Sequence, residues 1–132
     1  MLVIWVIDNF INNKPLKEMY RTVLQGYETV LIDSREIEKV LNGLKSELGI
    51  PRPDVVIVEP HVSVGRSGYE LLDVKRILDA LEEEGCKPYV VVCSTQDKST
   101  LKENGIDLTC YLRKPFNPDE LRRILQQFSY LG

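Results

Sequence analysis

Three runs of nearly continuous β-branched and apolar residues, Leu2–Ile7, Asp54–Glu59 and Tyr89–Cys93, set the tightest limit on what this chain can fold into. A strand with one wet face alternates apolar and polar residues. An unbroken apolar strand must be covered on both faces, as in a parallel sheet between helices. Thr29–Ile32 is a fourth strand and Cys110–Arg113 a shorter fifth. Helical spacing fills the gaps. Leu16, Met19, Tyr20, Val23 and Leu24 form one apolar face, with Gly26 as its stop. Asp33 with Glu36 starts a second helix through Ile37, Val40, Leu41, Leu44 and Leu48. Ser67 with Glu70 starts a third through Leu71, Val74, Leu78 and Leu81, stopped at Gly85. Lys98–Asn104 is a short polar fourth. The last helix has Asn117 as cap, Pro118 first, Glu120 third, and a face of Leu121, Ile124, Leu125 and Phe128. Strand and helix alternating five times predict an α/β three-layer sandwich with right-handed crossovers. Such sheets bind ligands at the carboxyl ends of their strands, where Asp8, Glu59, Cys93 and Lys114 fall.

The 132 residues fit one domain, 1–132, with 43% hydrophobic and 28% charged residues, as in a soluble globular protein. A net charge of −3 argues against a nucleic-acid partner, which needs a basic face. No apolar run reaches the length of a membrane span. Met1–Ile7 is too short and lacks the basic flank of a signal peptide, so it reads as a buried strand. Cys86, Cys93 and Cys110 have neither disulfide-framework nor zinc spacing, which points to reduced thiols in the cytoplasm. Gly65-Arg66-Ser67-Gly68 is not a Walker loop, and no G-x-G-x-x-G occurs. Glu59-Pro60-His61 with Gly65 does not complete a cobalamin-binding motif either. No cysteine opens a C-x5-R pattern, so Cys93 reads as a buried inert thiol.

Four segments, Val3–Lys17, Pro53–Leu72, Pro88–Ser94 and Tyr111–Phe116, together resemble the receiver domain of two-component response regulators. VIWVIDNFINNKPLK at Val3–Lys17 is similar to that family's first strand, acidic pair and first helix. PDVVIVEPHVSVGRSGYELL at Pro53–Leu72 resembles the strand carrying the phosphoacceptor and the loop into the third helix. PYVVVCS at Pro88–Ser94 resembles the strand ending in Thr or Ser. YLRKPF at Tyr111–Phe116, the most specific of the four, resembles the family's aromatic-x-x-Lys-Pro-Phe. The resemblance implies a flavodoxin-like (βα)5 fold with strand order 2-1-3-4-5. It also implies a cis Lys114-Pro115 peptide, with Tyr111 as the switch aromatic and Glu59 at the phosphoacceptor position. The metal set it implies is Asp8, Glu59 and the backbone carbonyl of His61.

Departures from the pattern bear on the chemistry. The family holds magnesium with two acids after the first strand and an aspartate after the third, and places a hydroxyl and a lysine around the phosphoryl group. Aligned without gaps, the acidic pair here is Ile7-Asp8; shifted by one it is Asp8-Asn9, and either way one acid is missing. Glu59 is one methylene longer than aspartate. Cys93 stands where the hydroxyl is expected, with Ser94 next to it and pointing to the other face. The expectation is a pseudo-receiver without enzymatic activity: magnesium weak or absent, and signalling by protein contact. A histidine kinase or a downstream effector is the implied partner. The fourth-helix, fifth-strand, fifth-helix face is the implied contact, through Tyr111, Arg113, Arg122 and Arg123, to a partner or a second copy. Two alternatives stand beside it: a receiver still switched by phosphoryl transfer through an atypical acceptor, and a flavodoxin-like small-molecule-binding domain.

Overall fold

The computed structural model describes residues 2–44, 49–66 and 68–129. Strand β1 (Val3–Asp8) leads to α1 (Lys14–Val23), β2 (Glu28–Asp33), a 3-10 turn (Ser34–Glu36), α2 (Ile37–Leu44) and β3 (Val55–Val58). Then come β4 (His61–Val64), β5 (Gly68–Leu71), α3 (Val74–Glu83), β6 (Tyr89–Ser94), α4 (Lys98–Glu103), β7 (Tyr111–Arg113) and α5 (Pro118–Ser129).

Five strands make one parallel sheet in the order β2-β1-β3-β6-β7. Numbered by its own strands alone, that is the expected 2-1-3-4-5. Side-chain alternation divides the core into two layers. Ile4, Val6, Val55, Ile57, Val91 and Cys93 pack with Tyr20, Val23 and Leu24 at α1 and with Leu121 and Leu125 of α5. Trp5, Ile7, Val56, Val58 and Val92 face the other way, against Ile37, Leu41 and Leu44 of α2, Ile77 and Leu81 of α3, and Leu101 of α4. Every residue of β3 is therefore buried, which is why its sequence shows no polar alternation. The indole N–H of Trp5, fully buried, donates to the carbonyl of Pro51 at 2.9 Å.

Helix ends follow the sequence at three places. Asn13 caps α1 by accepting from the Leu16 N–H at 3.3 Å. Asn117 and Glu120 form a reciprocal capping box: Asp119 N–H donates to Asn117 Oδ1 at 2.9 Å, and Asn117 N–H donates to Glu120 Oε1 at 3.3 Å. Gly85, at φ +76°, ends α3 in the left-handed conformation that glycine takes without strain.

Two expected helix starts are corrected. Asp33 caps the 3-10 turn rather than an α-helix, accepting from the Arg35 N–H at 3.0 Å, and α2 begins only at Ile37. Leu48, placed on that helix by its spacing, lies outside the described residues. Ser67 also lies outside them, and Glu70 starts no helix, since it stands in β5 opposite Val62. Strands β4 and β5 pair antiparallel, and α3 starts at Val74 with Asp73 accepting from the Arg76 N–H at 3.0 Å. The alternation of Val62 and Val64 and the two flanking glycines carried that signal.

Candidate functional site

The carboxyl ends of β1, β3 and β7 bring Asp8, Glu59 and Lys114 together. Lys114 Nζ lies 2.5 Å from Asp8 Oδ2 and 3.8 Å from Glu59 Oε1. All three side chains are nearly out of water, at 12% exposure for Lys114, 1% for Asp8 and 0% for Glu59. Backbone bonds fix the frame: Glu59 N–H donates to the Ile7 carbonyl at 2.9 Å, and Lys114 N–H to the Ser94 carbonyl at 2.8 Å. The Lys114-Pro115 peptide is cis, as the resemblance implies.

Each carboxylate oxygen in this pocket has a donor. Asp8 Oδ1 accepts from the Phe10 N–H at 2.8 Å, while Oδ2 takes Lys114. Glu59 Oε1 accepts from the Thr95 N–H at 3.2 Å, and Oε2 lies 3.5 Å from the His61 N–H. Converging backbone N–H groups beside a lysine are the usual construction of an anion-binding cradle. Here the longer arm of Glu59 puts the protein's own carboxylate into it.

Strand parity bears on the acidic pair. Ile7 is fully buried in the layer of α2 and α3, whereas its neighbour Asp8 turns its carboxylate to Lys114 and Asn9 follows it in the chain. Asn9 is 7% exposed, and its Oδ1 has no hydrogen-bond partner. The candidate ligands Asp8 and Glu59 are drawn onto Lys114, and their two charges are partly cancelled by it. Among the described residues no cluster of three or more His, Cys, Asp or Glu is arranged to hold a metal ion. A hard divalent cation prefers several anionic oxygens and fits this donor set poorly.

Register also separates Cys93 from Ser94. Tyr111 pairs with Val92, so its side chain shares a face with Val92 and Ser94, and Cys93 points the opposite way. Cys93 is fully buried in the α1/α5 layer, and burial pushes its thiol far above the ordinary range, against a smaller opposing pull from Lys114. Ser94 is also fully buried, and its Oγ accepts from the Gln96 N–H at 3.0 Å. The hydroxyl on the Tyr111 side is therefore that of Ser94. Tyr111 donates its own hydroxyl to the Gln96 carbonyl at 2.7 Å, with Lys98 Nζ 5.4 Å from the ring centre. Burial raises the Tyr111 phenol above its usual range. Arg113, Arg122 and Arg123 are exposed; Arg122 pairs with Asp119 at 2.8 Å.

Solved structures of receiver domains superpose along nearly the whole chain. The Francisella response regulator 1452 receiver domain is 20% identical, with a TM-score of 0.65 and 100% of both chains covered. The Vibrio cholerae chemotaxis protein CheY4 is 21% identical, with a TM-score of 0.63, covering 97% of this chain and 98% of its own. The chain has the receiver-domain fold. A third such structure is the receiver domain of sensor histidine kinase PA1611 from Pseudomonas aeruginosa. It is 21% identical with a TM-score of 0.62 and 96% coverage of both chains, and it has a magnesium ion coordinated in its active site cleft. No family model matches the sequence, and no curated protein matches it significantly. Among the described residues no helix is long and apolar enough to cross a membrane.

Proposed function

We propose that this chain is a receiver-like signalling domain that acts by protein contact, without a phosphorylation cycle and without enzymatic activity. The observation that carries the reading is the engagement of Glu59: both its oxygens already hold backbone donors, and Lys114 is shared between it and Asp8. An incoming phosphoryl group would have to displace this internal anion before it met the same donors. Asn9, neutral where the family has an acid, weakens the metal on which phosphoryl transfer relies. In this reading Asp8 serves as the lysine's partner, Ser94 rather than Cys93 takes the hydroxyl position, and Tyr111 is the switch aromatic. Magnesium at Asp8, Glu59 and the His61 carbonyl is weak or absent. The chain is cytoplasmic, with a histidine kinase or downstream effector as its partner.

The contact face is that of α4, β7 and α5, with Tyr111, Arg113, Arg122 and Arg123 outward, and a second copy can use it as a symmetric dimer. A receiver still switched by phosphate is the rival reading, favoured by Lys114, 3.8 Å from Glu59, and by the Ser94 hydroxyl at the end of β6. A small-molecule role is less well supported: the cavity of about 440 Å³ between α2 and α3, and that of about 610 Å³ between α3 and the loop after α4, are not lined by Asp8, Glu59 or Lys114. Titrating labelled protein with magnesium and beryllofluoride, a phosphoryl analogue, separates the first two readings. No saturable amide shift at Glu59, Thr95 or Tyr111 is expected; saturable shifts at these residues would support the rival.

A further inference from the structure

Three polar groups of Gln96 are committed to three different places. Its N–H donates to Ser94 Oγ at 3.0 Å, its carbonyl accepts the Tyr111 hydroxyl at 2.7 Å, and its side-chain Nε2 lies 3.1 Å from Nδ1 of His61. With the amide nitrogen as donor in this contact, His61 accepts at Nδ1 and carries its proton on Nε2. His61 is the first residue of β4, and its own N–H faces Glu59 Oε2, while the neighbour of Gln96, Thr95, donates to Glu59 Oε1. Glu59, His61, Gln96 and Thr95 thus close a ring. It ties the end of β3, the β4–β5 hairpin and the β6–α4 loop together.

Two surfaces grow out of that ring. On one side the His61 imidazole stacks on Tyr69 of β5, with ring centres 4.8 Å apart, and more loosely beside Phe10 at 6.5 Å. Phe10 and Tyr69 are exposed at 43% and 49%, large fractions for aromatic rings. On the other side stands Tyr111, hung from the Gln96 carbonyl and flanked by Lys98. In both directions the link is direct contact: ring on ring, amide on imidazole, hydroxyl on carbonyl.

We propose that Gln96 couples two surfaces of this domain, the aromatic face of the β4–β5 hairpin and the Tyr111 face of α4, β7 and α5, so that a contact made at one is felt at the other. Coupling of this kind is reciprocal: whatever a ligand on the hairpin does to Tyr111, a ligand on Tyr111 does to the hairpin. Gln96 is a positioning residue here, acting through His61 and through the tyrosine hydroxyl. Use of the coupling by a partner rests on the contact reading above, whereas the coupling itself does not.

The test is a mutant cycle read by NMR on the full chain, with no phosphoryl donor present. Tyr69→Ala removes the ring stacked on His61 without touching Gln96 or Tyr111. It is expected to shift the Tyr111 ring signals in the native background and to leave them in place when Gln96→Ala is also present. Gln96→Leu, which keeps roughly the size but can neither donate nor accept, should block transmission as Gln96→Ala does. Nitrogen shifts of His61 should show Nδ1 as a hydrogen-bond acceptor in the native protein and lose that signature in both Gln96 variants. The proposal is overturned if Tyr111 ignores Tyr69→Ala in folded protein, or responds equally with and without Gln96. A phosphoryl group gained in a separate experiment would overturn the contact reading and leave this coupling standing.

Discussion

The carboxyl edge of the main sheet and the β4–β5 hairpin share residues 59–61, but opposite forces hold them. Asp8, Glu59 and Ser94 stand at the ends of strands buried on both faces, and their positions are fixed by core packing beneath them. The hairpin is a two-stranded sheet of its own, with Val64 and Tyr69 exposed and Gly65 at φ +64° taking its turn. Two-stranded hairpins are marginal alone, so this one depends on its anchors: the Leu72 N–H to Pro60 carbonyl bond at 2.7 Å, the His61 contacts with Gln96 and Glu59, and the ring stack. The difference teaches where rigidity ends. The pocket is a product of the core, and the hairpin is a product of the pocket.

Substitutions at two positions, one inside β1 and one just after it, should separate the two regimes most strongly. Ile7→Asp places an unpaired carboxylate in the α2/α3 layer and should unfold the domain or cost more than about 4 kcal/mol in a denaturant titration. Asn9→Asp, two residues along and also buried, should lower the midpoint too, but by less, because a carboxylate past the end of the strand reaches water more readily than one in the core. Lys114→Met comes next. It strands two buried carboxylates, and breaking a buried pair from one side costs roughly 3–5 kcal/mol. Tyr69→Ala should be milder, within about 1 kcal/mol, because the ring is half in water. Hydrogen exchange should then quicken at the amides of β4 and β5 while those of β1 and β3 keep their protection.

The smallest effect is that of pH on two aspartates at the same edge, Asp97 and Asp33. Asp97 is held down to about 2 by the Thr100 N–H and the Ser99 hydroxyl, and Asp33 is lowered by the Arg35 guanidinium. A folded-state value below the unfolded one, about 3.9 for aspartate, stabilises the fold above that pH. The contribution is lost as pH falls from about 4 toward 2. Thermal melts across that interval should move down, and less so for Asp97→Asn.

Legibility in the sequence follows the same division. The central strands could be read because burial on both faces leaves unbroken apolar runs, and Asp8, Glu59 and Lys114 fall at strand ends; the strand order came from the receiver resemblance. Strand parity puts Ile7 in the core and its neighbour Asp8 in the pocket, and an alignment of letters alone does not carry that distinction. Cys93 and Ser94 raised the same question, and only the pairing of Tyr111 with Val92 answers it. The hairpin was hidden because Ser67 and Glu70 have the spacing of a capping box, and local chemistry of that kind yields to the turn formed between Val64 and Gly68. Nothing in the linear sequence brings His61 to Gln96, which are 35 residues apart.

The central claim is that the Glu59 carboxylate fills the place an added phosphoryl group would need. The measurement that meets it most directly is intact mass after incubation with acetyl phosphate and magnesium, on the native chain and on an Asn9→Asp, Glu59→Asp double variant. The second chain restores the missing acid and shortens the arm while keeping Ser94 and Lys114. The account predicts no mass gain for the native protein and a gain of one phosphoryl group for part of the double variant. A native protein that gains one phosphoryl group mapping to Glu59 or a neighbouring residue would contradict it.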